Sequence, residues 1–233
     1  MACLLIRTST AILCVFSAFT LHGQNNAIKA LQKIHNSYNS RTAIRFTGNI
    51  TMYVKSQPSR ITDQLSCSYT LQNDKFLCSI GSVLMLLNDK YYVSVDKKDK
   101  LIMLGRRKNL PAMAGNPVLD LSRLEKWMTE KKIQASVSAA GDNAQLQLTD
   151  IAAISGFNAY TIEFNTHTGY MKRVLIEAHA GNKTSEVTVL DIRYSMPRAA
   201  ADAQFSEKDF FSITGDKVLV ASPYRNYQLI NQL

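Results

Sequence analysis

The sequence predicts a mainly β, α+β domain in which a curled antiparallel sheet forms an incomplete β-barrel. Apolar and polar residues alternate over most of the chain, as in strands with one dry and one wet face. Short turns rich in Asn, Asp and Gly separate these strands, which is typical of an antiparallel meander. Two segments with helical periodicity, one N-terminal and one central, can cap the concave face of the sheet.

The first 23 residues have the composition of a secretory signal peptide. Arg7 gives a positive start, and residues 11–21 form an uncharged apolar run. That run is shorter than the roughly 20 residues that a membrane-spanning helix needs. We therefore expect cleavage after Gly23, export, and a single mature domain over residues 24–233. An uncleaved membrane anchor is the alternative.

Composition narrows the class of protein and its partners. Hydrophobic residues make up 46% of the chain and charged residues 19%, which favours a globular domain over a disordered one. Once Arg7 is removed, 26 basic residues face 18 acidic ones, a net charge of +8. In an exported protein this excess favours anionic lipid or polysaccharide surfaces as partners, and no nucleic acid.

A helix opens the mature chain and ends near Asn39. Asn25 or Asn26 can cap its N-terminus. The apolar residues at helical spacing are Ala27, Ile28, Leu31, Ile34 and Tyr38.

The period then changes from helical to strand-like. Strands are predicted at residues 45–54, 64–71 and 76–80, with Gln57-Pro58-Ser59 between the first two and a turn at Asn73-Asp74 before the third. Residues 83–87 are apolar throughout, so we expect both faces of that strand to be covered. A hairpin over residues 91–104 is also apolar on both sides.

The alternation stops at residues 106–118, which contain two prolines and a glycine. Asp120 or Ser122 can cap a second helix that runs to about Lys132. Its apolar face carries Leu121, Leu124, Trp127 and Met128. About five further strands follow, then a short helix at residues 206–211 and a last strand at residues 217–221.

Two cysteines, Cys67 and Cys78, remain in the mature chain. An even pair in an oxidising compartment favours a disulfide, and two buried thiols that pack as small apolar residues are the alternative. A hairpin that turns at Asn73-Asp74 places Cys67 opposite Ile80, which leaves the two sulfurs diagonal. Diagonal positions lie about 7 Å apart at Cα, at the edge of what a disulfide accepts. A turn shifted by one residue would place them directly opposite.

The sequence contains no recognisable catalytic centre. The remaining histidines, His35, His167 and His179, are far apart and form no metal-ligand motif. A Gly-x-Ser-x-Gly nucleophile motif is absent, and most acidic residues fall in turns or on polar strand faces. We therefore predict a protein that is not an enzyme and needs neither a metal nor another cofactor.

The predicted architecture leaves an apolar concavity under a loop rich in Pro, Gly and Met. We predict that a hydrophobic ligand binds there. The lining residues on the strands are Ile50, Met52, Val54, Leu65, Tyr69, Leu101 and Met103, and those on the covering segment are Met113, Trp127 and Met128.

The order of elements resembles the LolA-like carriers, which ferry lipoproteins to the bacterial outer membrane, and the superfamily that also includes LolB and RseB. The hairpin at residues 88–104 (NDKYYVSVDKKDKLIML) and the Phe46-x-Gly-x-Ile-x-Met strand after the leading helix carry this resemblance. It implies a half-barrel with helices as a lid and a location in the periplasm. The implied function is non-covalent transport of acyl chains towards the outer membrane, with an acylated lipoprotein or lipid and membrane transport components as partners.

Two other classes of function remain open at this stage. One is an exported envelope scaffold or interaction protein that uses the same fold with a filled core and no ligand. The other is an exported hydrolase whose site assembles from residues distant in sequence. Lipid that co-purifies with the mature protein would favour the carrier, because fold alone does not decide function.

Overall fold

The computed structural model describes residues 25–39, 42–73, 75–109, 121–131, 133–149, 151–152, 157–180, 183–200, 204–215 and 217–233. The expected signal peptide and the predicted site residue Met113 lie outside these ranges, as does most of the Pro/Gly loop.

The secondary structure is dominated by strands. Helix α1 covers residues 25–38, and helix α2 covers Leu121–Lys131. The strands are β1 (Ile44–Val54), β2 (Gln57–Gln72), β3 (Lys75–Ile80), β4 (Val83–Leu87), β5 (Tyr91–Asp96), β6 (Leu101–Arg106), β7 (Gln134–Ala140), β8 (Asn143–Thr149), β9 (Ala159–Asn165), β10 (Met171–Ala180), β11 (Lys183–Tyr194), β12 (Arg198–Ala199), β13 (Phe211–Thr214), β14 (Lys217–Val220) and β15 (Gln228–Gln232).

Within the described ranges, thirteen strands form one curled sheet in the order β15-β6-β5-β4-β3-β2-β1-β11-β10-β9-β8-β7, with β12 paired to β1. The two meanders, β1 to β6 and β7 to β11, join where β1 pairs antiparallel with β11. The sheet does not close on itself, because β15 and β7 are its two ends. This confirms the predicted incomplete barrel.

Hydrogen bonds hold helix α1 against the turn between β9 and β10. The Ser37 hydroxyl donates to the carbonyl oxygen of Thr168 at 2.7 Å, and Lys33 donates its ammonium to the carbonyl oxygen of Thr166. The buried Tyr38 hydroxyl accepts from the backbone N–H of Met171 at 3.0 Å. Burial raises the pKa of Tyr38 despite this hydrogen bond, so the phenol stays neutral.

One apolar core fills the part of the concave side that lies beneath α1 and α2. Its centre is aromatic: the rings of Phe46 and Tyr69 stack at 5.1 Å, and Tyr38 and Tyr194 meet Phe46 edge to face. The strands approach closely there because Gly48 has no side chain. A Cβ at that position would lie 2.6 Å from the carbonyl oxygen of Arg193.

A second apolar core lies on the outer face of β4, β5 and β6. The C-terminal segment covers these strands, with Phe210 and Phe211 buried against Val93 and Ile102. The exposed strand β15 then pairs parallel with β6, with Ile230 beside Met103. The outer face of the central hairpin is therefore apolar and covered by the tail of the chain, whereas β5 is mostly polar on its concave face.

Two predicted details of secondary structure are wrong. Gln57-Pro58-Ser59 lies inside β2, and the preceding turn is at residues 55–56. The predicted helix at 206–211 is a 3₁₀ turn over Glu207–Asp209, capped by Ser206, after which Phe211 begins β13. Phe210 and Phe211 bury the tail on the sheet. Both faces of β4 were expected to be covered, and they are covered unequally along the strand: Leu86 and Leu87 are buried, one on each face, whereas Val83 and Met85 are half-exposed.

The favoured disulfide between Cys67 and Cys78 is also wrong: both are free and buried. The register explains the absence of a bond, since Cys67 lies opposite Ile80 and Cys78 opposite Tyr69. The cysteines are thus the diagonal neighbours of the unshifted turn, and a bond between such positions would strain the strands.

We expect neither thiol to react with Ellman's reagent in the native protein, and both to react after denaturation without reductant. Burial raises the pKa of Cys67, and it raises that of Cys78 to about 12, so the reactive thiolate is scarce at neutral pH. A spectrophotometric titration in and out of urea measures this. Two thiols that stay silent in urea would show that the bond exists after all.

A partly buried ion pair holds the outer face of the sheet at β10 and β11. Arg173 binds Asp191 through two hydrogen bonds of 2.7 Å, and Arg193 adds a third at 3.3 Å. Burial by itself raises the pKa of Asp191, but these hydrogen bonds outweigh it and lower the pKa. The stability from this group is therefore present above its unfolded pKa and is lost as pH falls through the lowered folded value.

Candidate functional site

The two halves of the sheet bury opposite faces. In β8, β9 and β10 the concave side chains are buried under the helices, as at Leu146, Ile162 and Val174, and the outer face is polar. In β5 and β6 the outer side chains are fully buried, as at Val95 and Ile102. The concave side of this second half is therefore the less covered face. It is apolar on β4 and β6, whereas β5 carries Tyr92, Ser94 and Asp96 there.

The less covered surface, here called the open concave face, consists of half-exposed side chains on β4, β5 and β6. They are Val83, Met85, Ser94, Leu101 and Met103. Among the described residues, Val83, Leu101 and Met103 belong to neither apolar core. The pairing places Met85, Ser94, Met103 and Ile230 in one row across four strands, a width of about 14 Å at the usual strand spacing.

At one end of the open concave face, the described part of the chain leaves space over Gly105. This glycine is buried and pairs with the buried Tyr92, yet a Cβ there would meet no atom of the described chain within 4 Å. By contrast, a Cβ at Gly48 in the closed part of the concavity would clash with backbone. The position of Gly105 therefore offers room beside an apolar surface.

The predicted site residues fall into three groups. Ile50, Tyr69 and Met128 are buried in the concave core, and Met52, Leu65 and Trp127 are partly buried against it. Val54, Leu101 and Met103 are half-exposed outside that core. Met113 lies outside the described residues. The structure thus separates a filled part of the predicted lining from a more accessible part on β6.

Sequence reasoning missed Gly105, Met85 and Ile230 as parts of this surface. Met85 lay in a run that is apolar at every position, so its face was not readable. Ile230 depends on the parallel pairing of β15, which joins segments far apart in the chain. The only sequence signal for Gly105 was a glycine in a strand, which can mark close approach of a ligand.

The polar groups near the open concave face form hydrogen bonds within the turns. One carboxylate oxygen of Asp96 accepts from Ser82 and from the backbone N–H groups of Lys98 and Asp99. The N–H of Asp99 is foremost in lowering the pKa of Asp96, so the carboxylate stays ionised and fixed at the turn. Within the described ranges, no group of three His, Cys, Asp or Glu side chains could hold a metal ion. Neither described helix is long and apolar enough to cross a membrane.

Comparison of the sequence alone finds no matching family model and no matching curated protein. Comparison of structures finds an uncharacterized conserved protein from Thermus thermophilus, 8% identical, with 89% of this chain and 99% of that chain covered at a TM-score of 0.47. A LolA superfamily protein from Nitrosomonas europaea is 11% identical over 78% of this chain and 98% of that one, with a TM-score of 0.38.

The lipoprotein LppX from Mycobacterium tuberculosis also matches, at 10% identity over 73% of this chain and 94% of that chain, with a TM-score of 0.36. A protein of the LolA superfamily, which this sequence resembles, is thus among the solved structures that match.

Proposed function

We propose that this protein is an exported, non-enzymatic carrier that binds an acyl chain on its open concave face. The observation that carries the proposal is the reversed burial of the sheet: β6 is apolar on both faces, but only its outer face is packed shut. An accessible apolar surface of this kind commonly marks a ligand or partner site. The same proposal includes a location in the periplasm. It also includes an acylated lipoprotein or lipid as the cargo, which the protein delivers towards the outer membrane.

The chemistry needed is only burial of hydrocarbon. Each methylene that leaves water contributes about 0.8 kcal/mol, so a chain of about 12 methylenes contributes about 10 kcal/mol before the costs of association. Met85 and Met103 suit this role because unbranched thioethers adapt to irregular apolar partners. The result is reversible binding without a covalent step.

The positions of the two helices support different roles for the two halves of the sheet. Helix α1 is pinned to the β9–β10 turn, and Gln32 of α1 donates to Glu125 of α2 at 3.0 Å. Both helices belong to the filled core through Ile34 and Leu124. In the proposed carrier, this closed half supplies stability, and the half built from β4, β5 and β6 supplies the ligand surface.

The test is mass spectrometry of organic extracts from mature protein purified without detergent, with Gly105→Leu and Gly105→Ala alongside. We expect the wild type and Gly105→Ala to carry an acylated molecule, because one methyl group leaves most of the space unfilled. We expect Gly105→Leu to carry at least tenfold less while remaining folded, because its side chain occupies the space over β6.

The scaffold alternative makes a different prediction for the same samples. A protein with a filled interior would yield no acylated molecule from any variant, and a fluorescent fatty acid added afterwards would not bind. That pair of results would refute the carrier. Loss of stability in Gly105→Leu would show that the space is smaller than the structure indicates.

A further inference from the structure

Strand β15 forms one end of the large sheet and leaves a strand edge without protection. Among the described strands, β15 pairs with β6 alone, in an unbroken register. All of its residues, Gln228–Gln232, are exposed, and they include neither a charged residue nor a proline. Natural sheets usually guard an open edge with charges, proline or a bulge, because its backbone groups can pair with another strand. The edge of β15 has none of these features.

The hydrogen bonds of β15 determine which of its backbone groups face outward. The N–H of Gln228 donates to the carbonyl oxygen of Lys100, which directly precedes β6. Alternate residues of a strand direct their backbone groups to opposite sides, so Ile230 also bonds β6. The N–H and C=O groups of Leu229 and Asn231 therefore point to the free edge.

Two copies of this edge are complementary when the strands run antiparallel. A two-fold axis at Ile230 would place Leu229 of one copy opposite Asn231 of the other, so the outward-facing backbone groups would bond each other. Ile230 would face its own counterpart in a non-hydrogen-bonded pair, in which the Cα atoms lie about 4.5 Å apart. Gln228 would meet Gln232 at each end, and no like charges would be opposed.

Such a pairing would also extend the open concave face. Ile230 ends the row of side chains that runs from Met85 through Met103. A second copy would continue this row over its own four strands, and eight strands span about 34 Å at the usual spacing. A strand pair of five residues buries too little surface for a permanent dimer, so a ligand that lies across the junction would stabilise it.

We propose that a second copy of this chain pairs with the free edge of β15, and that the two open concave faces then form one apolar trough. Leu229 and Ile230 are each 36% exposed and lie on opposite faces of the strand, so the pairing removes apolar surface from water on both faces. The shared trough rests on the proposed carrier function, whereas the strand pairing does not.

Cysteine crosslinking measures the register of this pairing. With copper phenanthroline as the oxidant, the mature Ile230→Cys protein should form disulfide-linked dimers about tenfold faster than Leu229→Cys. Cysteines at position 230 would face each other, whereas those at position 229 would be diagonal neighbours about 7–8 Å apart, beyond the reach of a disulfide. The two positions are equally exposed, which makes them a matched pair. A long-chain fatty acid should raise the dimer yield of Ile230→Cys several-fold.

Sedimentation velocity measures the association without an added thiol. The mass of the wild type should rise towards that of a dimer between about 1 and 100 µM, as expected for a small interface. Ile230→Lys should remain monomeric, because two ammonium groups would meet at the axis. Ser136→Lys places the same charge at an exposed position on β7, the strand at the other end of the sheet, and should associate like the wild type.

Four results would count against the inference. Equal crosslinking at positions 229 and 230 would show random collision instead of this register. Species larger than a dimer would indicate open-ended pairing of β15 with β7. If Ile230→Cys neither crosslinks nor reacts with a maleimide, another segment of the chain covers the edge. Register-specific crosslinking that fatty acid does not change, in a protein that carries no lipid, would refute the trough and the carrier function but not the strand pairing.

Discussion

Replacing Met103 with aspartate is expected to abolish acyl-chain binding in a protein that still folds, whereas the same change at Ile162 is expected to unfold it. Met103 is half-exposed on the open concave face, so its carboxylate would keep much of its hydration. Ile162 is fully buried at the centre of the closed half. A carboxylate there would be unpaired in a packed interior, which costs about 5 kcal/mol, comparable with the whole stability of many domains.

Urea unfolding and binding of a fluorescent fatty acid separate the two effects. We expect Met103→Asp to unfold within about 1 kcal/mol of the wild type and to bind at least tenfold more weakly. Met103→Leu conserves apolar volume and should bind normally. If Met103→Asp unfolds as Ile162→Asp does, the concave side of β6 is close-packed and the scaffold alternative is favoured. If it folds and still binds, the ligand surface lies elsewhere.

Replacing Gly169 with alanine is expected to destabilise the domain by about 3 kcal/mol or more, because it drives helix α1 off the sheet. Gly169 has a φ of +74°, and a Cβ there would lie 2.9 Å from the carbonyl oxygen of Lys33 and would overlap the hydroxyl of Ser37. The helix would have to move, which would disturb the Ser37 and Tyr38 hydrogen bonds.

Gly141 provides the matched control for that change. It lies in the turn between β7 and β8 with a φ of +57°, and a Cβ there would meet no described atom within 4 Å. Gly141→Ala should therefore cost only the backbone strain, about 1 kcal/mol. Both free energies of unfolding come from urea titrations. Equal costs at the two positions would mean that α1 is not wedged against the β9–β10 turn.

Local patterns in the sequence predicted much of the fold. The apolar residues of α1, and Leu124, Trp127 and Met128 of α2, enter the core, since helical spacing places them on one face. The alternation in β1 and β2 marked their inward residues, and the turn at residues 73–74 implied the pairing of Cys67 with Ile80. The sequence left two registers open for this hairpin. The structure has the turn at residues 73–74, and Cys67 and Cys78 are not bonded.

What the sequence by itself determined is therefore which residues share a face, because the periods of helix and strand are set by the local backbone. Only the tertiary structure decided which faces are closed. The tail covers the outer face of β5 and β6, and Arg173 binds Asp191 on the neighbouring strand. The described part of the chain leaves space over Gly105. These features depend on contacts between segments that are far apart in the chain. A local sequence pattern does not indicate which distant segment will cover a given face.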